Sequence, residues 1–165
     1  MLVAPAPPTP LRFPDEMRET QIHAYDNREN VLRTLDFLSA RTPSPEIVEQ
    51  IVEDSMSGSR EATLAYPTAS ILEDISSEVP KIAVPALVLA GELDQLDSIE
   101  QHKREVVARI ANARFEVIPR SGHLIPIDEP EELARHIENF VLSVSKLADF
   151  VIKPASFRAV KKSAE

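Results

Sequence analysis

The stretch VPALVLAGELDQLDS (residues 84–98), a helical segment, and then ARFEVIPRSGHLIPIDEPEELARHIENFV (residues 113–141) decide how this chain is read. Residues 86–90 form a short, continuously apolar run, as expected of a strand covered on both faces. Gly91-Glu-Leu-Asp94 follows it, and Ser98 with Gln101 has the spacing of a capping box that opens a helix. Val106, Val107 and Ile110 give that helix a buried face, and residues 115–119 read as the next strand. Arg120-Ser-Gly-His123 comes directly after.

Two strands joined by one crossover helix are parallel, and the crossover is right-handed in nearly all cases. Their C-terminal ends then leave the sheet at the same rim, about 4.8 Å apart if they are neighbours. Asp94 and His123, about thirty residues apart, are therefore expected to meet outside that rim, where ligand sites of such sheets lie. A carboxylate that accepts the Nδ1 proton of an imidazole fixes its tautomer and stabilises the imidazolium formed when Nε2 takes up a proton. These are the acid and base arms of a Ser-His-Asp relay. Glu92 and Asp97 compete for the acid role, and Asp97 is better read as helping to start the helix at Ser98. Gly122 is read as allowing the turn that presents the ring. His23, His102 and His136 lie in expected helices without a partner pattern and are assigned to surface or packing. No third ligand follows at metal spacing.

Working outward, the first residues form a short apolar run broken at once by Pro5, Pro7, Pro8 and Pro10, which suits a strand's end and its exit loop over residues 1–10. Residues 11–80 read as a run of helices. Asp15 opens a polar one. Asp26 and Glu29 form a capping box ahead of Val31, Leu32, Leu35 and Leu38. Ser44 and Pro45 start a third helix with Ile47, Val48, Ile51 and Val52 on one face. Ser59 and Thr68 are expected to cap two short pieces on either side of Pro67. Residues 81–148 carry the strand–helix–strand unit and a last helix, with Asp128 and Glu131 as a capping box and Leu133, Ile137, Phe140, Val141, Val144 and Leu147 as its buried stripe. Residues 149–165 read as a flexible basic tail.

The whole is 165 residues, enough for one domain with a real core. A net charge of -9 argues against a nucleic-acid partner, because phosphate needs a basic face. No apolar run approaches the length of a membrane span. The opening residues lack the basic and long apolar regions of a secretory signal. The chain has no cysteine, which fits a reducing compartment and makes a cytoplasmic location the expectation. Three glycines, against an ordinary share of roughly 7%, leave few places for close backbone approach to a ligand.

Residues 82–141 resemble the C-terminal part of an α/β-hydrolase-fold protein. In that family a Gly-x-x-Asp after the seventh strand supplies the triad acid, matched here by Asp94. A Gly-His after the eighth supplies the base, matched by Gly122 and His123. Less specifically, residues 2–8 resemble the end of the sixth strand, and residues 14–77 the helical lid that follows it. The implied fold is α/β: a partial α/β-hydrolase fold of about three parallel strands with flanking helices and a lid. The implied activity is hydrolysis of a small-molecule ester or related bond, with no organic cofactor or metal.

The family's serine elbow, Gly-x-Ser-x-Gly, does not occur. Ser55-Met-Ser-Gly-Ser59 has glycine at one of the two places and sits in a helical region. Three readings stand: part of a hydrolase and inactive alone, a non-catalytic binding or regulatory module, or an enzyme completed in trans. An open strand edge near Leu2–Ala4 is expected to favour self-association or a partner. Leu35, Leu38 and Tyr66 are candidates to line a substrate pocket, or simply core.

Overall fold

The computed structural model describes residues 1–151, with side chains to residue 146. Three parallel strands, β1 (Leu2–Val3), β2 (Ala86–Gly91) and β3 (Ala113–Ile118), form one sheet in the order β1-β2-β3. Leu2 pairs with Val88, and Ala86 to Gly91 pair in step with Ala113 to Ile118. The expected α/β class and three-strand parallel sheet are observed.

β2 is buried along its whole length because both of its faces are covered. Ala86 and Val88 pack with Val106 and Ile110 on one side. Leu87 and Leu89 pack with Ile118 and Ile125 on the other, backed by Leu133 and Phe140. Period-2 alternation thus serves two cores at once. The crossover starts as α5 (Ile99–Gln101), loosens into a π turn over His102–Val106 and tightens into a 3₁₀ turn over Val107–Arg109. Val106 and Ile110 point inward as expected.

Between β1 and β2 lie α1 (Asp15–Ile22), α2 (Arg28–Leu38), α3 (Pro45–Ser57) and α4 (Arg60–Thr68). Ser44 caps α3 and Ser59 caps α4 through their hydroxyls, as expected. The cap of α2 is Asn27, whose side chain accepts from Asn30 N at 3.0 Å, and not Asp26. Asp26 is occupied by His23 and Arg60. Pro67 does not divide two helices. It lies in the last turn of α4, and Thr68 bonds back to the Leu64 carbonyl at 2.7 Å instead of capping a new helix.

After β3 come a short α6 (Ile125–Asp128) and α7 (Pro130–Val151). Asp128 is not a cap for α7, because its carboxylate is drawn to distant groups described below. Val141 is exposed and does not join the buried stripe. Of the basic tail expected from residue 149, residues 149–151 continue α7, and the rest lies outside the described residues. Among those described, no helix is long and apolar enough to cross a membrane.

Candidate active site

β2 and β3 end together, with Gly91 paired to Ile118. The two loops that leave them are laced by backbone bonds: Glu92 N donates to Ile118 O at 2.9 Å and Leu93 N to Ser121 O at 2.8 Å. That contact requires glycine. A Cβ on Gly91 would stand 2.1 Å from Gly122 O and 2.5 Å from Ser121 O. Asp94 then turns back on itself, its Oδ1 accepting from Leu96 N at 2.8 Å and Asp97 N at 3.1 Å. These bonds aim Oδ2 at His123 Nδ1, 2.9 Å away. The Asp94 side chain is 1% exposed and that of His123 20%.

Electrostatics follow from this geometry. Burial works to raise the Asp94 pKa, but the His123 hydrogen bond and the amides of Asp97 and Leu96 outweigh it and hold the carboxyl below its ordinary value. The same bond to Asp94 raises His123, against the opposing effect of burial. The arrangement favours an imidazole that donates Nδ1–H to Asp94 and keeps Nε2 as the proton acceptor.

The histidine loop is held from its other side by the corner after α2. Leu38 O accepts from His123 N at 2.8 Å and Leu124 N at 3.2 Å. Asp128, 2% exposed, accepts from Gly122 N at 2.6 Å and Ala40 N at 3.0 Å, and from the Ser39 hydroxyl. Arg41 donates to Asp128 O at 3.0 Å and Glu129 Oε1 at 3.1 Å, and Arg120 Nε also reaches Glu129 Oε1 at 3.1 Å. Gly122 has no positive φ, so a special turn is not why it is needed. Its Cβ would stand 2.6 Å from Leu38 O, so close approach is the reason. The left-handed residue of this loop is Arg120, at φ 60°.

Asp94 and His123 are thus brought together, and the other candidates fall elsewhere. Glu92 is exposed and its carboxylate accepts from Arg120 N at 3.0 Å. Asp97 lies directly before Ser98, the cap of α5, whose hydroxyl accepts from Gln101 N at 3.1 Å. The Asp97 carboxylate is buried and accepts from Gln101 Nε2 of α5 at 2.7 Å. His102 is core at 1% exposure. His23 is a surface residue beside Glu19 and Asp26, and His136 sits against Glu116. No three His, Asp or Glu side chains among the described residues could hold a metal ion.

An apolar cleft of about 220 Å³ opens beside the histidine loop, lined by Leu35, Leu38, Ile51, Ser55, Leu124 and Ile127 among others. Leu35 and Leu38 line it and Tyr66 does not, and Leu35 is at the same time buried core. Ser55 reaches it from α3, but no hydrogen bond joins Ser55 to His123 among the described residues. Sequence reasoning missed Asp128, Ser39 and Arg41. The one available signal was glycine placement, since two of three glycines flank the rim.

The sequence profile of the alpha/beta hydrolase family matches residues 1–136. The chain belongs to that family. Among curated relatives, 3-oxoadipate enol-lactonase 2 of Acinetobacter baylyi is 27% identical over 95 residues, which is 58% of this chain and 35% of that protein. Among solved structures, an esterase from Exiguobacterium antarcticum superposes with a TM-score of 0.74 at 23% identity, over 85% of this chain and 55% of that one. A thermophilic esterase from Thermogutta terrifontis gives a TM-score of 0.64 at 24% identity, over 82% and 53%. This alpha/beta hydrolase chain therefore spans about a third of the lactonase and about half of each esterase.

Proposed function

We propose that Asp94 and His123 are the acid and base of a relay that hydrolyses a small-molecule ester or related bond, with the nucleophile supplied from outside these 165 residues. The 2.9 Å bond between His123 Nδ1 and Asp94 Oδ2 is the observation that carries this reading. With Nδ1–H committed to Asp94, Nε2 removes the proton of an attacking hydroxyl and later returns it to the leaving alkoxide. Asp94 stabilises the imidazolium between those steps. The cleft beside Leu124 suits a small apolar acyl or alkyl group, and residues 11–80 act as its lid. Here β1 is the edge where further strands, a partner or a second copy would pair. A cytoplasmic setting belongs to the same reading.

The test uses short-chain nitrophenyl esters and a fluorophosphonate probe. The chain alone is expected to give background hydrolysis. Joined to the preceding strands and serine elbow of a family esterase, it is expected to turn over ester and take the label, and to lose both on His123→Ala. Turnover by the chain alone that needs His123 would overturn the placement of the nucleophile. A correctly folded fusion with no His123-dependent turnover would overturn the hydrolytic reading.

A further inference from the structure

We propose that Asp97 is a second counter-ion for His123, acting through space on the protonated ring while Asp94 holds it by a hydrogen bond. Asp97 is 3% exposed and sits on the same loop as Asp94, to which its own amide donates at 3.1 Å. Its carboxylate has one side-chain donor among the described residues, the neutral amide of Gln101 at 2.7 Å. No Lys or Arg there forms an ion pair with it.

A buried carboxylate is costly unless a positive charge lies near. The groups around Asp97 are Asp94 on its own loop, Gln101 on α5, Tyr66 from α4 and His123 from the loop after β3. His102, on the turn after α5, also feels the charges of Asp94 and His123, but burial lowers its pKa and favours its neutral form, so His123 is the group that becomes a cation. Two carboxylates thus share one imidazole, and each proton taken up by His123 relieves both. Burial pushes Asp97 up to about 6, with the Asp94 charge adding to it and His123 drawing it back. Each charge acts on the other, lowering Asp97 and raising His123, so the two titrate as a coupled set. Asp97 is a positioning residue for charge, since nothing places it on the reacting atoms.

This inference rests on reading His123 as the base, but its test needs no substrate. The His123 ring signals are followed by NMR against pH in the 165-residue chain and two variants. Asp97→Asn is expected to lower the His123 midpoint, and Asp97→Glu, which keeps the charge, to restore it toward the parent value. In the unmodified chain the ring shifts should bend where the Asp97 carboxyl carbon titrates. A folded Asp97→Asn chain with an unchanged midpoint overturns the proposal. So does an Asp97 carboxyl that titrates without moving the His123 ring, whether or not the variants fold. Failure of ester turnover by the fusion, with these shifts intact, would sink only the hydrolytic reading.

Discussion

Replacing Asp128 with alanine removes the acceptor of the buried Gly122 N at 2.6 Å and of the part-buried Ala40 N at 3.0 Å. A buried donor left without a partner costs about 1–3 kcal/mol, so Gly122 N costs that much, and Ala40 N, which water can reach, adds less. Ser39 adds little, because its hydroxyl can turn to Arg41 O at 2.7 Å. Asparagine behaves differently. Its Oδ1 can still take both amides while its Nδ2 donates to Ser39 Oγ, so only the charge-assisted share is lost. That share is about 1 kcal/mol per bond, or about 2 kcal/mol in all. Urea denaturation of the parent chain, Asp128→Asn and Asp128→Ala should rank them in that order, with the alanine chain most affected if total stability is at the low end of about 5–15 kcal/mol. The asparagine chain then carries the comparison. An alanine chain within about 0.5 kcal/mol of the parent, the range of an ordinary surface change, would refute the reasoning.

Gly91→Ala forces a methyl into two carbonyl oxygens of the histidine loop, at 2.1 and 2.5 Å, and backbone cannot yield as a side chain can. A loss of at least about 1–3 kcal/mol in urea denaturation is expected. Gly58→Ala is the control: its Cβ would lie 3.5 Å from Thr63 Cγ2, and a change within about 0.5 kcal/mol is expected. For Asp97, the folded value of about 6 exceeds the unfolded 3.8, so the folded chain binds more protons between them. Stability should fall as pH rises through that window, by at most roughly 3 kcal/mol at 1.36 kcal/mol per unit. Asp97→Asn should flatten that fall, stabilising the chain at pH 8 more than at pH 4; denaturation series at the two pH values that show no difference would contradict it.

β2 was legible because its apolar run is short and unbroken, which a two-faced strand between parallel neighbours requires. The meeting of Asp94 and His123 was legible because two strands joined by one crossover helix run parallel and end at the same rim. Asp128 was not, since its position ahead of Pro130 matches a local cap while its real partners lie at Ser39 and Ala40, 89 and 88 residues away. Asp26 failed for a similar reason: Arg60 and His23 claim it, and Asn27 takes the cap. The depth of Asp97 was not legible, because periodicity says nothing about burial: it stands at the start of α5, but its carboxylate turns inward against Gln101. Gly122 was singled out correctly but for the wrong cause, since the crowding comes from Leu38 O, across the molecule from any local pattern.

The most direct measurement is the tautomer of His123, read from ring nitrogen shifts in the 165-residue chain at a pH above its titration. The expected result is Nδ1–H, with Nε2 unprotonated, and a loss of that preference on Asp94→Ala. A predominant Nε2–H form in the parent chain would mean that Asp94 does not hold the ring, and the acid–base assignment would fall with it.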